Sequence, residues 1–173
     1  MRLIDTHFDN SETGCCARLD ERVWNDQELD WKDKLFVKDH VRSFLHMPLN
    51  FGSVISRDFQ LIEEAEAYPA DPIVITDEVS PWGADLYVAV DHEIPGANIQ
   101  RLSGKFLTKV FEGPYRHAHT WVHEMTELVR EKGYTLRRIY FYYATCPKCA
   151  EQFGKNQVVL LAQVGVPHAG RIR

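Results

Sequence analysis

No stretch of this chain is long and apolar enough to span a bilayer, and the N-terminus, MRLIDTHFDN, turns polar before a secretory apolar core can form. The expectation is a cytoplasmic protein with no membrane partner. Cations are in deficit too: 20 Lys and Arg against 25 Asp and Glu leave a formal charge of −5, whereas a surface that tracks phosphates needs clustered Lys and Arg. The densest basic cluster, Arg137-Arg138 after Lys132, is short and falls at a helix-to-strand junction. Nucleic acid is therefore not an expected partner. Biased tracts are missing, so nothing indicates disorder. Cysteine is scarce, with four residues in 173, and a chain of this length buries a core without covalent staples. In a reducing compartment those four are metal ligands, redox groups or plain thiols rather than structural bridges.

What is present is a pattern of periodicities that occurs twice. A helix is expected from Gly113-Pro114 to Lys132-Gly133, because Pro suits a first turn and Gly the position after a last one. Ala118, Trp121, Val122, Met125, Leu128 and Val129 recur between them at helical spacing and form one apolar stripe. Runs rich in strand formers precede and follow it: KFLTKVF (105–111), RRIYFYYAT (137–145) and QVVLLAQV (157–164). The order is β-α-β-β.

The earlier chain repeats the order with VRSFLHMPL (41–49), a helix from Gly52 to Ala67, PIVITD (72–77) and ADLYVAV (84–90). Its helix stripe reads Phe51, Val54, Ile55, Phe59 and Ile62. The expected fold is α+β: two β-α-β-β halves, 41–90 and 105–164, related by a pseudo-twofold axis, with an antiparallel sheet and helices on one face. One domain over 41–164 follows an N-terminal extension of 1–40 that carries a Cys pair, residues 91–104 connect the halves, and 165–173 form a tail. Alternation along the sixth run lets Ile139, Phe141 and Tyr143 face the helix while Tyr140 and Tyr142 face away, toward a possible ligand cleft.

FEGPY (111–115), the helix opened by Trp121, and DLYVAV (85–90) give the chain a resemblance to the gyrase-inhibitor-like family of small-molecule and effector-binding domains. The likeness covers roughly residues 40 to 164. It implies a duplicated β-α-β-β fold, an aromatic-lined cleft, and a role as a binder or as a hydrolase of lipophilic small molecules. Within that family the chain is similar to a stand-alone subgroup carrying Thr-Gly-Cys-Cys near the start, here Thr13 to Cys16, and Cys-Pro-x-Cys in the last hairpin, here Cys146 to Cys149.

Two sets of residues can carry chemistry. Cys146-Pro147-Lys148-Cys149 at a hairpin tip has the spacing of a zinc knuckle, and Cys15-Cys16 can complete a four-sulfur site. The same Cys-x-x-Cys spacing also serves thiol-disulfide cycling or metal sensing, and plain buried thiols are the third reading. Trp82, Tyr87, Tyr140 and Tyr142 offer aromatic faces to a small lipophilic or aromatic molecule, with Asp85 or Glu112 to orient a polar group. A cleft that holds a peptide is the alternative use of these aromatics. His119, His123 and Glu127 share one helix side, but that side lies opposite the apolar stripe and reads as a solvated face. His7, His40, His46 and His92 belong to no pattern.

Overall fold

The computed structural model describes residues 16, 18–45 and 47–166. Four helices and seven strands follow in the order α1 (Glu21–Trp24), β1 (Gln27–Phe44), β2 (Met47–Pro48), α2 (Phe51–Glu64), β3 (Val74–Ser80), β4 (Gly83–Val90), β5 (Ile99–Glu112), α3 (Ala118–Glu131), β6 (Thr135–Tyr143), α4 (Pro147–Phe153) and β7 (Gln157–Gly165). All ladders are antiparallel, in the order β2-β1-β4-β3-β6-β7-β5, and β5 pairs back onto β1. Six strands thus close into a barrel. This is the α+β fold of two β-α-β-β halves, β1-α2-β3-β4 and β5-α3-β6-β7. Among the described residues the strands of the two halves pair through equivalent partners, β3 with β6 and β1 with β5, as a twofold relation requires.

Both long helices end alike. Tyr134 N–H bonds to Val129 C=O and Gly133 N–H to Arg130 C=O; Ala67 N–H bonds to Ile62 C=O and Glu66 N–H to Glu63 C=O. Each is a Schellman turn, whose left-handed position falls to Gly133 (φ 78°) in one half and to Glu66 (φ 53°) in the other. Glycine takes that conformation at no steric cost, and Glu66 does not.

Closure divides the core in three. Phe36, Ile75, Tyr87, Phe106, Tyr140, Val159 and Leu161 fill the barrel interior. α3 covers the outer face of its own half with Trp121, Met125 and Val129 over Leu107, Phe141 and Leu160. α2 covers the other with Val54 and Ile62 over Val37, Leu86 and Val88. The expected alternation holds in β6, where Phe141 faces α3 and Tyr140 and Tyr142 face inward.

Several boundaries differ from the sequence expectation. The strand expected over 41–49 begins at Gln27, inside the stretch assigned to an extension, and β5 begins at Ile99, inside the expected connector. The cause is a charged outer face: Leu29, Trp31 and Phe36 point into the barrel, but Glu28, Asp30, Lys32 and Asp33 between them hide the alternation. A register shift between Trp31 and Lys34 hides it further. The second helix starts at Ala118, because Pro114 opens a single 3-10 turn over Tyr115–His117. In α2 the buried stripe is Val54, Asp58 and Ile62, while Phe51 and Phe59 are exposed.

Candidate functional site

The barrel has two chemically different ends. At the first, the segment before β1 folds across the opening. Trp24 packs on the Tyr142 ring at 5.4 Å, Thr108 Oγ1 donates to Trp24 C=O at 2.6 Å, and Val110 N–H donates to Asn25 Oδ1 at 3.1 Å. Glu21 accepts from Lys155 Nζ at 2.9 Å and Gln157 Nε2 at 2.7 Å, which hold its carboxyl below the ordinary value. Glu112, at the end of β5, meets the same Lys155 and Gln157 at 3.3 Å.

Here Cys16, Cys146 and Cys149 come together, with every sulfur within 4.8 Å of the others, and Cys149 is fully buried. Four thiolates at a Zn–S distance of 2.3 Å lie about 3.8 Å apart, so small side-chain rotations bring these three into that arrangement. Cys146 N–H already points at Cys16 Sγ, at 3.5 Å. Three cysteines in this geometry can hold a metal ion. Cys15, the fourth thiol of the sequence reading, lies outside the described residues. Burial, with Cys16 adding to it, pushes the Tyr142 hydroxyl far above its ordinary range.

At the other end the inward-facing residues become charged. Asp85 receives Lys38 Nζ at 3.0 Å and His40 Nδ1 at 2.9 Å; burial acts to raise its carboxyl, but these two partners outweigh it and hold it low. Asp77 pairs with Arg138 at 2.8 Å, yet burial outweighs the guanidinium and raises it. Tyr87 and Tyr140 stand edge to face behind this network at 5.6 Å, and burial, aided by Tyr87, pushes the Tyr140 hydroxyl up to about 12. The His40 ring packs against Gly83 on the neighbouring strand: a Cβ there would meet His40 Nε2 at 2.4 Å. A small residue at that position is what admits the imidazole.

Beyond Val37, β5 no longer covers the edge of β1, and Asn98 takes its place: Lys38 N–H donates to Asn98 C=O at 2.8 Å, and Asn98 Nδ2 donates to Lys38 C=O at 3.2 Å. A cavity of about 480 Å³ opens there, lined by Lys38, His40 and Asp85 and, from α2, by Arg57, Asp58 and Leu61. That volume falls in the range of small-molecule sites. Asp39 on β1 bonds to both Arg57 and Asp58, and Asp58 is 2% exposed.

The proposed ligand residues are thus dispersed. Asp85, Tyr87 and Tyr140 share the charged end; Tyr142 and Glu112 sit at the thiol end; Trp82 is exposed at the β3–β4 turn, against Phe44 at 5.8 Å. Sequence reasoning passed over His40, which enters only through its register opposite Asp85. It passed over Asp58 too, although a carboxylate midway between Val54 and Ile62 was a visible break in an apolar stripe.

A closed antiparallel barrel carrying two outer helices and a charged mouth beside a cavity fits a small-molecule-binding fold. The chain belongs to the family described as bacterial hydrolase, whose model matches residues 6–164. No curated protein matches the sequence. Among solved structures it is similar to a hydrolase from Listeria innocua, at 12% identity and a TM-score of 0.58, over 80% of this chain and 91% of that one. It is also similar to an uncharacterized conserved protein from Listeria innocua, at 11% identity and TM-score 0.59 over 80% and 91%. A further hydrolase from the same organism matches at 10% identity and TM-score 0.59 over 82% and 93%. These likenesses establish the fold. Among the described residues no helix is long and apolar enough to cross a membrane.

Proposed function

We propose that the protein is a hydrolase of small lipophilic molecules, with its reaction centre in the cavity at the edge of β1. The observation that carries this is the His40 Nδ1–Asp85 Oδ1 contact of 2.9 Å beside that cavity, in a chain of the bacterial hydrolase family. A carboxylate that accepts from Nδ1 fixes the imidazole tautomer and leaves Nε2 as the proton acceptor. His40 then takes a proton from water, the hydroxide adds to the acyl carbon, and the acyl bond to the leaving group breaks as that group receives the proton. Lys38 stands beside Asp85 and favours the anionic intermediate. Val37, Leu61 and Ala97 give the cavity an apolar wall, and the gyrase-inhibitor-like resemblance supports an apolar substrate body.

In the same reading the thiol cluster holds zinc in a structural role, with Cys15 as fourth ligand beside Cys16, Cys146 and Cys149. A four-sulfur site has no open position for water, and it would clamp the segment that closes the far end of the barrel. Chromogenic aryl esters of graded acyl length test the reading. His40→Ala should lower kcat/KM by about 10²–10⁴-fold, while Cys149→Ser should remove stoichiometric zinc, read by elemental analysis. Full ester hydrolysis by His40→Ala, or no hydrolysis by the native chain, overturns the assignment.

A further inference from the structure

The first half of the chain carries an apolar projection at the rim of the charged mouth. β1 runs past Gly83, the last residue it pairs with on β4, and turns back as β2. Phe36, Lys38 and His40 face inward along β1, and the same alternation puts Arg42 and Phe44 on the mouth side of the projecting ribbon. Leu49 N–H donates to Arg42 C=O, so Leu49 lies opposite Arg42 and joins that side. Trp82, in the β3–β4 turn, packs on Phe44 and accepts from Ser43 N–H through its C=O. Phe44, Leu45, Leu49 and Trp82 are each more than half exposed. Leu45, at the hairpin tip, is held at φ 48°, a conformation that such turns give to Gly or Asn. Neither the core nor the turn calls for a leucine there.

Charge says what covers this patch. The chain has 25 acids in 173 residues, yet residues 40–57 and 79–84, which build the hairpin, the start of α2 and the turn, contain no Asp or Glu. Arg57 is engaged by Asp39, whereas Arg42 is exposed and meets no carboxylate among the described residues. A second copy of the chain fits poorly, because in a twofold contact the patch meets itself and Arg42 has no acid of the patch to face. An apolar layer under a negative surface fits well: it takes the four side chains, a tryptophan suits its boundary, and the cation finds phosphates. Among the described residues no helix is long and apolar enough to cross a membrane, and lying against one requires none.

We propose that the β1–β2 hairpin and the β3–β4 turn dock on an anionic phospholipid bilayer, with Phe44, Leu45, Leu49 and Trp82 in its interfacial layer and Arg42 at the phosphates. This departs from the expectation of no membrane partner, which a missing span does not decide. Docking turns the mouth toward the lipid, since His40 and Lys38 lie on the same strand face as Arg42 and Phe44. Where it rests on the hydrolase reading, the proposal makes the substrate an ester that partitions into the bilayer and enters from that side.

Flotation of the full chain with vesicles tests it, using phosphatidylcholine mixed with phosphatidylglycerol against phosphatidylcholine alone. The mixed vesicles should bind more tightly, and brominated lipid should quench tryptophan emission in the native chain but not in Trp82→Phe. Phe44→Ser with Leu49→Ser should weaken binding by at least about tenfold, the size of one large apolar side chain left in water. Arg42→Gln, an exposed change that leaves the apolar patch intact, should weaken it by about fivefold and remove the preference for phosphatidylglycerol. No binding to either vesicle, equal binding to both, or undiminished binding by the Phe44 and Leu49 variant overturns the proposal. So does a dimer in sedimentation that the same two substitutions break, which assigns the patch to a second copy. Vesicle binding without hydrolysis of any ester keeps this surface and removes the hydrolase reading. Ester hydrolysis that depends on His40 without vesicle binding does the reverse.

Discussion

In the two halves of the barrel, equivalent helices carry opposite residues at one place. α3 buries Trp121, Met125 and Val129 at four-residue spacing, and α2 buries Val54, Asp58 and Ile62 at the same spacing. Met125, fully buried, and Asp58 therefore occupy the middle of matching stripes. The scaffold tolerates a hydrocarbon there, so the carboxylate is not required by the fold. Stability alone favours the methionine, and the half that gives it up is the half with the cavity.

The sharpest way to break this comparison is to move the acid across. Met125→Asp should destabilise the protein by about 3–5 kcal/mol, because α3 offers neither an Asp39 nor an Arg57 to a buried charge. Urea unfolding measures it, and a loss under about 1 kcal/mol would show that this position is not sealed.

Removing the acid from its own half should have the opposite sign. The folded value of Asp58, about 6, lies above its unfolded value of 3.8. Between those values the folded state binds more protons, so stability falls as pH rises and stays lower above about 6. Asp58→Asn should accordingly match the native chain near pH 4 and exceed it by about 1–3 kcal/mol at pH 8. A pH-independent difference would place the cost in shape rather than charge.

The smallest effect concerns the ion pairs that tie each helix to its sheet. Lys109–Glu124, at 3.9 Å in the second half, is largely exposed, and Lys109→Met should change stability by at most about 0.5 kcal/mol. Arg57→Met in the first half should instead move the Asp58 titration further upward, observable by carboxyl NMR, because Arg57 is the charge that lowers it.

Much of the architecture was legible because periodicity reports one face at a time. α3, β6 and β7 each set an apolar face against a polar or aromatic one, and their spacing revealed them. β1 escaped recognition over residues 27–40, since Glu28, Asp30, Lys32 and Asp33 crowd its outer side. Closure of the barrel depends on that same strand, which β5 pairs along its first part and β4 along its second. The candidate site was less legible for a related reason: His40 and Asp85 lie 45 positions apart and meet only through the β1–β4 register. The cysteines were different. Cys146 and Cys149 announced themselves by spacing, and the structure brings to them Cys16, which the sequence reading had already joined to the pair from the far end of the chain.

The two seams of the barrel are unequally fastened. β1 and β5 share nine paired positions, whereas β3 and β6 share one, Thr76 with Phe141. A closed sheet parts where the fewest hydrogen bonds must be given up, so one seam acts as a spine and the other as a slit. Tyr140 stands on β6 beside that slit, and Tyr87 lies one strand further in, on β4. The aromatic lining, inaccessible in the closed ring, thus lies behind one backbone pairing and the Arg138–Asp77 and Tyr143–Glu78 side-chain contacts. Separating these leaves each half with its own three-stranded sheet and its own helix intact.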